Sequence, residues 1–126
     1  MRATGLILAA LLLGGCACPT GAGAPSGAAP LLHLVLFQLD DPADAAALRA
    51  DCERLLTTIP TVVSYACGTH VDIGRDTITS DYDLALRVGF DDVEGYHAYL
   101  SHPAHLELLA LWKGRLGPYR IIDAGS

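Results

Sequence analysis

The chain has 126 residues, 14 of them acidic against 8 basic, a net charge of −6 and four cysteines. It lacks the clustered Lys/Arg face that a phosphate backbone requires, which excludes nucleic acid as a partner class. No C-x-x-C or other zinc spacing occurs, so neither a structural metal nor a cofactor is expected.

Met1 to Gly15 carries one basic residue, Arg2, before an uncharged run from Ala3 to Leu13 that is too short to span a bilayer as a helix. It reads as an export signal. Its end, Leu13-Gly14-Gly15-Cys16, resembles the bacterial lipoprotein box, in which cleavage before the cysteine is coupled to acylation of its thiol; an ordinary secretory signal is the alternative. On the first reading residues 1–15 are a lipoprotein-type signal peptide, and Cys16 anchors the protein to a membrane through several acyl chains. Ala17 stands where an aspartate would suggest inner-membrane retention, so the expected location is the bacterial cell envelope, at the outer membrane facing the periplasm. Residues 16–30 are almost wholly Ala, Gly, Pro, Ser and Thr. Such a stretch is a flexible tether, spanning roughly 20 Å on average.

Residues 31–126 form a single domain. Leu31 to Leu39 is a strand in which both alternating sets, Leu32/Leu34/Leu36 and Leu31/Val35/Phe37, are apolar apart from His33, so both faces need cover. The face carrying Val35 and Phe37 is expected to lie away from the helices, open to a second copy of the chain. Asp40-Asp41-Pro42 opens a helix to about Thr57, with Leu48, Cys52, Leu55 and Ile59 on one face, and Ile59-Pro60 closes it. A second strand, Val62 to Cys67, ends at Gly68, and the polar stretch Asp72 to Asp81 suits an exposed loop. From Tyr82 to Phe90 the large apolar residues alternate with Asp83, Ala85, Arg87 and Gly89, which marks a third strand.

Asp91 is the expected cap of a short helix, with Glu94 three residues on completing a capping box. Pro103 suits the first position of the next helix, which places His102 at its cap and His105 in its first turn. Leu108, Leu109, Trp112 and Leu116 recur on the face of His105 and turn it inward. Gly117-Pro118 breaks the chain before a last strand, Tyr119 to Asp123. The order β-α-β-β-α-α-β gives an α+β fold, a ferredoxin-like four-stranded antiparallel sheet with helices on one face.

A histidine in a first helical turn faces the positive end of the helix dipole, which keeps its ring neutral and fit to act as a base. The commoner role of an inward histidine is a hydrogen-bonded core residue. Cys52 and Cys67 are the cysteines inside the domain, and in an exported protein they form a possible disulfide, with two buried thiols as the alternative. A pocket is expected between sheet and helices, lined by His33, Tyr99 and His105, with Arg87 or Asp123 as further polar groups.

Taken together, His33-Leu34-Val35-Leu36-Phe37, Ile59-Pro60, Gly68, Tyr82 to Phe90, Tyr99 with His102-Pro103-Ala104-His105, and an Asp closing the last strand resemble the stress-responsive A/B barrel, or Dabb, family. The resemblance implies a homodimeric α+β barrel built from two such sheets. In a plant cyclase of that family a tyrosine and a histidine at the positions of Tyr99 and His105 form the proposed acid/base pair of an intramolecular aldol condensation. Three function classes follow. The leading one is a lipid-anchored homodimer that binds a small apolar or carbonyl-containing ligand, or only assembles. The second is a cofactor-independent lyase, cyclase or isomerase with His105 as base and Tyr99 as acid. The third is an envelope adaptor, or a weak metal site on His97, His102 and His105.

Overall fold

An apolar strand with one buried histidine belongs at the centre of a sheet, where it pairs on both edges, and that is where the chain puts it. The computed structural model describes residues 29–126; the expected export signal, Cys16 and nearly all of the expected tether lie outside the described residues. The elements are β1 (Leu31–Leu39), α1 (Ala45–Leu56), β2 (Ser64–Gly68), β3 (Leu84–Phe90), α2 (Val93–Ser101), α3 (Pro103–Trp112) and β4 (Leu116–Gly125). The strands form one antiparallel sheet in the order β2-β3-β1-β4. Among the described residues no helix is long and apolar enough to cross a membrane.

Directly opposed residues share a face of the sheet. His33, Val35 and Phe37 oppose Val88, Leu86 and Leu84 on one side and Asp123, Ile121 and Tyr119 on the other. That face carries the core: Leu84, Leu86, Val88 and Phe90 are buried with Leu48, Cys52, Leu55 and Leu56 of α1 and with Tyr99, Leu108 and Trp112 of the later helices. Val35, expected on the open side, is therefore buried beneath the helices, and Phe37 packs against the same core. The strand offers two apolar faces, and the choice between them is made by its neighbours: β3 has only one strongly apolar face, and β1 must match it. The open face instead carries Leu32, Leu34 and Leu36, with Ala85, Arg87 and Gly89 on β3 and Arg120, Ile122 and Ala124 on β4.

Local chemistry sets the element ends. Asp41 accepts the Ala43 N–H at 2.9 Å and starts a single 3-10 turn, Pro42–Asp44, that leads into α1. The cap of α2 is Asp92, which accepts the Gly95 N–H at 2.7 Å, one residue later than the expected Asp91. α3 stops at Trp112, and β4 begins at Leu116 and runs through Gly117-Pro118 instead of starting after it. Leu116 opposes Leu39 across an irregularity in the ladder, and an edge strand tolerates a proline because one of its sides needs no N–H donor. Gly89 opposes Ser64, and a Cβ there would collide with the Ser64 hydroxyl and the Ala29 methyl, so the lack of a side chain lets the chain cross at that point.

The open face has a consequence for assembly. Leu32, Leu34, Leu36 and Ile122 each gain about 1.5–3 kcal/mol when fully buried, an incentive that a second copy of the same face can supply. The soluble domain should sediment at twice the chain mass, and Leu34→Asp, which sets a carboxylate in the middle of that face, should give a monomer that still unfolds cooperatively. A parent domain that is monomeric at micromolar concentration contradicts this reading of the sheet.

Candidate functional site

The site is built where α2 hands over to α3. Pro103 begins α3, and His102 caps it by accepting the Ala104 N–H on Nδ1 at 3.2 Å. This places His105 one turn in, facing the sheet with Leu108 and Trp112. The His105 ring is pinned by Nδ1–H donating to the Leu100 carbonyl at 3.0 Å. A carbonyl only accepts, so the proton sits on Nδ1 and the Nε2 lone pair is free. Burial holds the His105 pKa below the ordinary histidine value, His33 nearby adds to this, and the bond to Leu100 partly opposes it. The helix end pushes the same way but is worth only about 0.3–1 kcal/mol, so burial replaces it as the main reason that this imidazole is neutral.

Tyr99, two residues before the end of α2, is buried and packs against His105, with ring centroids 4.4 Å apart and planes tilted by 42°. Burial pushes its hydroxyl well above the ordinary tyrosine value, which keeps it a proton-bearing donor at neutral pH. On the other side stands His33, at a centroid distance of 6.0 Å from Tyr99.

His33 is buried in the central strand and must find partners. Its Nδ1–H donates to Asp123 Oδ1 at 2.6 Å, straight across the β1–β4 ladder. Tyr96 closes the arrangement: its hydroxyl lies 2.9 Å from the same nitrogen and donates toward both Asp123 oxygens at 3.3 Å. Burial and then the Asp123 charge push the Tyr96 hydroxyl up to about 12. A carboxylate oxygen accepts, so the His33 Nδ1 carries the proton of this bond, while Nε2 makes no hydrogen bond among the described residues.

These groups line one end of a cavity of about 570 Å³ between α3 and the β1–β4 half of the sheet. The remainder is mostly apolar, with Val35, Phe37, Leu48, Leu86, Leu108 and Trp112 as walls, Leu109, Tyr119 and Ile121 at a half-exposed mouth, and Lys113 as a further polar group. Trp112 is held as a rigid wall because its Nε1–H donates to Asp51 at 3.0 Å and the Arg115 guanidinium sits 4.0 Å over its ring.

His33, Tyr99 and His105 thus come together as expected, and Asp123 joins through His33. Arg87 does not: it opposes Leu34 on the far face of the sheet and is exposed. The alternating pattern of β3 already separated it from the core set, which is the reason for the correction. Cys52 and Cys67 are free thiols and not a disulfide, with Cys67 packed against the core that contains Cys52. His97, His102 and His105 do not converge, since His102 caps α3 and His105 is tied to Leu100. Tyr96 was missed by sequence reasoning, although its three-residue spacing from Tyr99 puts the two on one helical face.

The family model described as Stress responsive A/B Barrel Domain matches residues 31–124. A stress-response A/B barrel domain-containing protein of Arabidopsis thaliana is 25% identical over 91 residues, which span 72% of this chain and 81% of the relative. A dimeric ferredoxin-like protein of unknown function from Thermobifida fusca superposes with a TM-score of 0.63 at 26% identity, over 76% of this chain and 90% of the other. Hydroxynitrile lyase from Passiflora edulis shares the fold, with a TM-score of 0.65 at 14% identity over 76% of this chain and 92% of its own.

The lowered pKa of His105 makes a stability prediction. Between its folded value and the ordinary value of 6.5 the unfolded chain binds more protons than the folded one, so stability is lost as pH falls through that window and is fully present above it. Urea unfolding at pH 8 and pH 5 should show a smaller acid loss for His105→Gln than for the parent. Equal losses in both would show that the ring titrates as it does in the unfolded chain.

Proposed function

The chain belongs to the stress-responsive A/B barrel domain family, and on that premise we propose that it is an exported, lipid-anchored homodimer whose cavity binds a small, mainly apolar ligand carrying a carbonyl or hydroxyl group. The observation that carries this reading is the cavity itself: about 570 Å³, mostly apolar, with the buried polar groups His33, Tyr99 and His105 gathered at one end and Tyr119 and Lys113 toward the other. A volume of that order suits a small organic molecule; the Tyr99 hydroxyl can donate to a carbonyl oxygen at its head, and the Nε2 lone pair of His105 can accept from a hydroxyl there. The dimeric state of the Thermobifida fusca neighbour and the apolar open face support pairing of two copies. Export and anchoring rest on the residues around Cys16, with the tether of residues 16–30 leaving the domain free of the lipid surface at the periplasmic face of the outer membrane.

A second reading, proton-transfer catalysis on a carbonyl compound, is favoured by one specific feature. His105 is neutral with its Nε2 lone pair free, and Tyr99, a donor by virtue of its raised pKa, packs against it at a tilt. This pair has the two properties a base and an oxygen-stabilising acid need.

Both readings are separated by one experiment. The parent, His105→Ala and Tyr99→Phe are melted with and without a panel of aliphatic ketones, aldehydes and alcohols, and any compound that stabilises the parent is followed for turnover. Binding retained by Tyr99→Phe without turnover in any variant supports a binding module. Turnover abolished in both variants with their melting points little changed supports catalysis. No stabilisation of the parent by any compound, together with variants that melt several degrees lower, overturns both and assigns His105 to the core.

A further inference from the structure

Cys52 has no exposed surface on the core side of α1, whereas Cys67 is half-buried on β2, an edge strand. Cys67 opposes the buried Leu86 on the inner face of β2 and packs against the core that contains Cys52, so two elements separated by a connection of about 15 residues bring their cysteines into one core, the juxtaposition that a bond would need. Neither lines the cavity, but Cys52 stands on the helix that helps to wall it: Leu48, one turn before Cys52, is a cavity wall, and Asp51 beside it holds the Trp112 indole.

We propose that Cys52 and Cys67 are a reversible dithiol site that a small-molecule disulfide oxidises to an intramolecular bridge stapling α1 to β2. The two sulfurs are unequal in the way that exchange requires. The Cys67 thiol is held below its ordinary pKa by the Cys52 S–H, with the Tyr65 hydroxyl and the Arg49 charge adding to this against burial and Glu53. The same interaction and full burial raise Cys52. Cys67, the more accessible and more readily ionised, attacks one sulfur of the oxidant and forms a mixed disulfide, releasing one thiolate. That thiolate takes the proton of Cys52, whose sulfur then attacks Cys67 and displaces the second thiolate, which is protonated by solvent. Two protein thiols become one disulfide, and the oxidant is reduced to two thiols.

The test uses the full chain, incubated with oxidised glutathione or with dithiothreitol, denatured, alkylated and digested with trypsin. The oxidised sample should yield the peptide Ala50–Arg54 disulfide-linked to Leu55–Arg75, with both cysteines protected from alkylation, and dithiothreitol should reverse it. Closing the loop should raise the melting temperature by several degrees, and emission from Trp112, the single tryptophan, should change because α1 holds its indole. Cys52→Ser should trap glutathione on Cys67. Should that variant fail to fold, Cys67→Ser serves instead, and its Cys52 should stay alkylatable and free of adduct. Full alkylation of both cysteines in the oxidised parent, or a stable glutathione adduct on Cys67 without the linked peptide, overturns the proposal.

Discussion

His33 is the one polar residue in the inward set of a central strand, and a buried imidazole left without partners would cost about 1–3 kcal/mol. The fold meets that demand from two directions, with Asp123 across the β1–β4 ladder and Tyr96 from α2. In doing so it fixes what surrounds the cavity. The edge strand β4 is tied to the centre of the sheet by a side-chain bond as well as by its ladder, and α2 is held down at the point where it must deliver Tyr99. The charge-assisted bond to a carboxylate is about twice as strong as a neutral one, so this corner is the firmest polar contact the site possesses. Its by-product is functional: with Nδ1 occupied, only Nε2 of His33 is left free.

The second imidazole follows the same rule with a different partner. His105 is tied through Nδ1 to a backbone carbonyl, which carries no charge, and burial then keeps its ring neutral. One cavity therefore holds a histidine beside a carboxylate and a histidine bonded to a neutral carbonyl, with Tyr99 near both. Groups set in contrasting environments are how a site separates donors from acceptors. The apolar length beyond them is kept open because α3 roofs β1 while Tyr119 and Ile121 on β4 remain half-exposed.

Much of this was legible in the sequence, and the failures have identifiable causes. β1 and β3 were readable because a two-residue period over seven to nine residues is hard to mistake, and the Leu48/Cys52/Leu55 stripe gave α1 its inner face. What period alone does not decide is which of two apolar faces turns inward; Val35 and Phe37 were placed by the register with β3, a long-range fact. Asp91 and Asp92 are chemically equal caps, and backbone geometry chose the second. Arg87 was drawn toward the pocket by its type, although its own strand's alternation placed it on the far face. Tyr96 escaped because its role exists only once β1, α2 and β4 meet.

The central claim is that the space between α3 and the β1–β4 half of the sheet is a binding cavity whose polar end receives an oxygen-bearing head. Two-dimensional NMR of the labelled domain titrated with a medium-chain methyl ketone tests it most directly. The account predicts saturable shifts of the Trp112 indole N–H, of His105 and His33, and of the β4 amides near Ile121, with Arg87 and Leu34 on the opposite face unmoved. Shifts that fail to saturate, or that cluster on the open face around Leu34, would contradict it.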